Sequence, residues 1–148
     1  LWSDGDDYLE MIALWYREHS YDFLVFTDHN TLANKERWVD IDKNKGGRKA
    51  FDKLKAKFPS GWVEERTQTD EKTKTKKSEV RLKRFDEVFA KLAEKDKFLL
   101  IQGEEISDKF GAKPIHLNAH NLRDVIPPLG GDSVTTVIQN NVDALIAQ

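Results

Sequence analysis

Phe23-Leu24-Val25-Phe26-Thr27-Asp28-His29-Asn30 is the stretch on which the fold of this chain turns. Its apolar, β-favouring half predicts a short buried strand over residues 21–26. The polar half then marks the point where that strand leaves its sheet. A second stretch repeats the arrangement: Phe98-Leu99-Leu100-Ile101, in a strand predicted over 97–101, precedes Gly103-Glu104-Glu105-Ile106-Ser107. A third apolar run, Ile115 to Ala119, contains His116, eleven residues beyond Glu105. Parallel α/β proteins carry their chemistry at the carboxyl ends of strands, where a rigid sheet supports the loops. An imidazole at one such end and carboxylates at another are groups that bind metals, so the pattern points to a metal-dependent enzyme.

Around these strands the sequence alternates into helices. Ser3-Asp4-Gly5-Asp6-Asp7 supplies caps for a helix from about Asp7 to His19, with Leu9, Ile12, Ala13, Trp15 and Tyr16 at helical spacing. Asn30-Thr31 turns the chain, and a helix is expected over Ala33 to Trp38. A basic helix from Gly47 to Phe58 sets Phe51, Leu54 and Phe58 three and four residues apart, and Pro59-Ser60-Gly61 ends it. Trp62-Val63 and Val80-Arg81-Leu82 are expected as arms of a hairpin joined by the polar stretch 67–78. Residues 64–84 hold eight basic and five acidic side chains, a local +3, and 62–83 is read as a solvated insertion, with a phosphate-attracting lid as the sharper alternative. A helix over Phe85 to Glu94 and a final helix capped by Asp132 or Ser133 complete the order. Strands separated by helices favour a mainly parallel α/β arrangement in one domain spanning residues 1–148.

Composition narrows the function classes. The 148 residues carry a net charge of −2, so the chain is not a generally basic nucleic-acid binder. No apolar run approaches the length of a membrane span. Cysteine is absent, so any metal must sit on histidine, aspartate and glutamate. Both ends are read as cut, leaving an internal piece of a larger domain.

Each candidate has an ordinary structural reading beside the functional one. Asp4, before Gly5, suits a helix cap; His29 suits a ligand or base, with Asp28 placed to fix its tautomer. Glu104 and Glu105 point in different directions, so that one can be a ligand while its neighbour is not. His116 alternates with Ile115 and Leu117 and shares a side with Asn118; a satisfied core histidine is the plain alternative.

In this order and at these intervals, Ser3-Asp4-Gly5, Thr27-Asp28-His29-Asn30, Gly103-Glu104-Glu105-Ile106-Ser107 and His116 resemble the PHP family, the polymerase and histidinol phosphatase domain. The resemblance implies a distorted (β/α)7 barrel of TIM-like type, here in part, with two or three divalent ions (zinc, manganese or iron). It implies Asp4, His29, Glu105 and His116 as metal ligands, Glu105 bridging, with Asp28 and Asn118 behind them and no catalytic residue beyond the ligands. The family's His-x-His motif is expected ahead of Leu1 and its late ligands beyond Gln148, so this span alone is expected to be inactive. The implied activity is phosphoester hydrolysis by metal-activated water on a small phosphorylated substrate. A non-catalytic PHP module and a PHP-type nuclease acting on nucleic acid are the rival readings.

Overall fold

A computed structural model describes residues 1–69, 71 and 74–148. In chain order the elements are α1 (Leu9–Glu18), β1 (Phe23–His29), β2 (Arg37–Asp40), α2 (Gly47–Lys57), β3 (Glu65–Thr69), β4 (Lys76–Leu82), α3 (Phe85–Leu92), β5 (Leu99–Phe110), β6 (Lys113–His120) and α4 (Val134–Ile146). They fall into two compact units, Leu1–Ser20 with Asn34–Leu92, and Tyr21–Ala33 with Ala93–Gln148.

The first unit is built on three helices and the sheet β2-β4-β3. Leu9 and Ala13, one turn apart on α1, are buried, and α1 packs against α3. On α2 the predicted spacing holds, with Phe51, Leu54 and the following Phe58 all buried. The helix expected over Ala33 to Trp38 does not form. Arg37–Asp40 is instead a strand, antiparallel to β4 with Val39 opposite Val80. Six residues are too few to sustain a helix without tertiary support, and Trp38-Val39 suits a half-buried strand. The hairpin arm beside β4 is Glu65–Thr69 rather than Trp62-Val63. Six of the nine described positions of the expected connection over 67–78 are therefore strand, and its positions 70, 72 and 73 lie outside the described residues. Far from being wholly solvated, β4 gives Val80 and Leu82 to the core.

Charges on this unit are organised around β4. Arg81 donates to both carboxylate oxygens of Glu87, at 2.7 and 2.9 Å, and also pairs with Glu64. The buried Lys83 donates to Glu64 at 2.7 Å. These hydrogen bonds, from Arg81 first and Lys83 second, hold the Glu64 carboxyl down at about 2. Glu10 is the opposite case. It is 2% exposed, one oxygen accepts from Trp62 Nε1 at 3.0 Å, and the other has no partner among the described residues. Burial pushes its pKa up, and hydrogen bonding and the Lys83 charge only partly offset this.

The second unit is the sheet β1-β5-β6 backed by α4. β1 runs parallel to β5, Phe23 opposite Leu99 and His29 opposite Glu105. β6 returns antiparallel after a tight turn at Gly111, whose φ of 59° is left-handed. Leu32, Ile106, Ala119, Leu122 and Ile126 form the core, with Leu117, Val125, Ala144 and Leu145 against it. α4 starts as expected, Ser133 Oγ accepting from Thr136 N at 3.1 Å. Asp108 fastens it to β5, accepting from Asn141 Nδ2 at 2.8 Å and from Gly130 N at 3.0 Å.

Two expectations are corrected here. The strands are longer than the apolar runs: β1 includes Thr27-Asp28-His29, and β5 runs through Glu104-Glu105 to Phe110. The partial TIM-like barrel is not formed. Among the described residues the strands make two separate three-stranded sheets, neither closed, and the only parallel pair is β1 with β5. Barrel closure needs a second neighbour for every strand and, in the TIM type, one common direction. β1 and β6 are edges, and β6 reverses direction. No helix among the described residues is long and apolar enough to cross a membrane.

Two substitutions test this packing. A Cβ at Gly103 would collide with the Ala119 carbonyl oxygen and lie 3.2 Å from that of Phe26, so both flanking strands depend on its absence. Gly103→Ala is expected to cost on the order of 1–3 kcal/mol, read as a lower denaturant midpoint; an unchanged midpoint contradicts the packing. For Glu10 the sign follows from its raised pKa. The folded state retains its proton while the unfolded chain ionises, so stability falls as pH rises above the ordinary carboxylate range. Glu10→Gln is therefore expected to raise the thermal midpoint at pH 7 and to have little effect near pH 3. A loss at pH 7 would mean that the buried carboxylate is charged and compensated.

Candidate metal centre

Strand alternation decides which side chains meet. On β5, Glu105 and Ser107 are two residues apart and share a face. His29 lies beside Glu105 on β1, and on β6 Asn118 lies opposite Glu105 while His116 lies opposite Ser107. His29, Glu105 and His116 thus converge from three strands, with one ligand atom from each within 4.8 Å of the others. The cluster is open to solvent, its side chains being 32%, 24% and 44% exposed in that order.

The contacts are specific. Glu105 turns Oε2 towards His29 Nδ1, at 3.6 Å, and Oε1 towards His116 Nδ1, with which it pairs directly. Ser107 Oγ lies 2.5 Å from His29 Nδ1 and 3.3 Å from His116 Nδ1. The two imidazoles meet edge to face, centroids 5.6 Å apart. Two ligands on one tetrahedral ion, each about 2.1 Å from it, lie roughly 3.4 Å apart. The His29–Glu105 pair already has that separation, whereas the His116–Glu105 pair must open to admit an ion. With one oxygen facing each imidazole, Glu105 has the form of a carboxylate that can serve two cations.

The same geometry argues against a nucleophilic serine. In a nucleophile–base–orienter chain the hydroxyl and the carboxylate use different nitrogens of the imidazole. Here Ser107 and Glu105 both approach Nδ1, on His29 and again on His116.

The remaining candidates are placed differently. Glu104 is fully buried on the opposite face of β5, its Oε1 accepting from Ile126 N at 2.6 Å and its Oε2 unpartnered among the described residues. Burial raises its pKa against the Ile126 hydrogen bond, as expected of a carboxyl facing a core rather than a cation. Asp28 lies opposite Glu104, so alternation puts it on the face away from His29. Asn118 shares the face of Glu105, exposed. Asp4 belongs to the first unit and is outside the three-residue group. Sequence marks Asn30 only as a turn residue and Ser107 only as part of the 103–107 motif, with no place for either beside the histidines. The signal was the two-residue step from Glu105 to Ser107, which has meaning only if β5 continues past Ile101.

Compared with protein-family models, curated proteins and solved structures, the chain matches none of them.

A paired substitution separates the two glutamates. Glu105→Gln is expected to weaken Zn²⁺ binding, measured by calorimetric titration, by more than about 10-fold. Glu104→Gln should leave the affinity within about 2-fold, since the neutral amide keeps an acceptor for Ile126. Equal losses, or a larger loss at Glu104, would assign the ligand to the wrong register.

Proposed function

We propose that this chain carries a metal-dependent phosphoesterase site, as its resemblance to the PHP family implies, and that its substrate is a small phosphorylated molecule. The observation that carries this reading is Glu105, with one carboxylate oxygen directed at each of two histidines on neighbouring strands. Divalent ions held there would bind phosphate oxygens and lower the pKa of a water molecule towards neutrality. The chain's own part is to hold the ligands. His29 and His116 offer neutral imidazole nitrogen, and Glu105 offers negative charge that offsets two cations. Ser107 Oγ lies against Nδ1 of both rings, the nitrogens that face Glu105, and would yield that place to an ion. No covalent step on the protein is required, in keeping with a serine that lacks the nitrogen-to-nitrogen relay. Zinc, manganese and iron all accept such mixed nitrogen and oxygen ligands.

The test is a screen of the full-length protein, supplied in turn with Zn²⁺, Mn²⁺ and Fe²⁺, against phosphomonoesters, phosphodiesters and oligonucleotides. Hydrolysis of a phosphomonoester is expected, abolished by chelation and restored by metal. His116→Ala should lower kcat/KM more than about 100-fold, roughly 2.7 kcal/mol of transition-state stabilisation. Turnover that survives chelation would overturn the reading, and oligonucleotide cleavage alone would favour the nuclease.

A further inference from the structure

The end of β1 is held by a side chain rather than by more strand. Asn30, directly after His29, has a φ of 48°, in the left-handed region, so the main chain cannot continue beside β5. Its backbone N–H still donates to the Glu105 carbonyl oxygen at 2.9 Å. Beyond that point the carboxamide takes over. Asn30 Oδ1 accepts from Ser107 N at 2.8 Å, and Asn30 Nδ2 donates to Ser107 O at 3.2 Å. One amide side chain thereby pairs with both peptide groups of Ser107, as a strand residue would. The two β5 residues that Asn30 grips are those whose side chains face His29, and Ser107 is also the register partner of His116.

We propose that Asn30 is a positioning residue of the metal centre: its carboxamide clamps β1 to Ser107 and so sets the distance from His29 to Glu105 and His116. The proposal rests on the metal-binding reading above. It differs from a plain turn role, in which Asn30 would serve only because asparagine tolerates positive φ. A clamp needs the carboxamide, whereas a turn needs only the backbone angle.

Glycine separates the two. Asn30→Gly satisfies the left-handed backbone at no steric cost but removes both side-chain hydrogen bonds. The affinity of wild type, Asn30→Gly, Asn30→Asp and His29→Ala for Zn²⁺ alone is measured by titration, with thermal midpoints alongside. The clamp predicts Asn30→Gly at least about 10-fold weaker than wild type, in the range for lost partners of metal ligands. Asn30→Asp tolerates the same backbone and keeps the acceptor for Ser107 N while losing the donor. It should also bind more weakly than wild type despite its added negative charge, and it carries the test if the glycine variant does not fold. Wild-type affinity or better in Asn30→Gly, or tighter binding in Asn30→Asp, would overturn the clamp and leave the metal centre standing. Wild type and His29→Ala titrating alike would overturn the metal centre and the clamp with it.

Discussion

The parallel pairing of β1 with β5, in the register that sets His29 beside Glu105, is the constraint from which the candidate site follows. A shift of one residue would move every side chain of β1 to the other face and put Asp28 beside Glu105. Several features resist that slip. Phe26 is buried, Gly103 admits the backbones on both sides of β5, and Asn30 ties off the end of β1 with bonds from its backbone and its side chain. The core packed on the even-numbered face of β5, through Ile106, fixes the odd-numbered face for Glu105 and Ser107.

Glu104 and Glu105 show how one sheet gives two identical groups different chemistry. Glu105, 24% exposed, stands between two imidazoles on the open face of the sheet. Glu104 has lost its water, which favours the protonated form, and its one backbone donor offsets this only in part. Glu10 in the first unit repeats the second condition, with one oxygen satisfied by Trp62 and one left without a partner. A buried carboxyl of this kind weakens the fold as pH rises. By contrast, Glu64, bound by Arg81 and Lys83, keeps its charge into acid and supports β4 from above the ordinary carboxylate range down to about 2.

The second unit is an open sheet, and this bears on how the resemblance is used. The motifs that resemble the PHP family concern ligand types and their order, which a three-stranded sheet can bring together as well as a barrel can. Barrel topology is a separate claim about strand direction and closure, and β6 contradicts it by turning back on β5. The proposed metal chemistry therefore rests on His29, Glu105 and His116 themselves, not on an architecture.

The sequence by itself determined which side chains any metal site could use and much of the local structure. Lack of cysteine restricted any site to imidazole and carboxylate, apolar spacing located α1, α2 and α3, a capping residue located the start of α4, and the runs at Phe23 and Leu99 located the cores of β1 and β5. These depend on residue type and short-range periodicity, which are visible in one dimension. Tertiary structure alone decided that Arg37–Asp40 is strand, because its stability comes from the edge of β4 some forty positions away. It likewise carried β5 past its apolar run, since Gly103 to Glu105 are held by ladders on both sides and Ile106 to Phe110 by the ladder to β6. The same ladders separated Glu105 from Glu104 and gave Ser107 and Asn30 their places. Which face a residue takes, and what stands opposite it, is set by pairing between distant segments, and no local pattern encodes that.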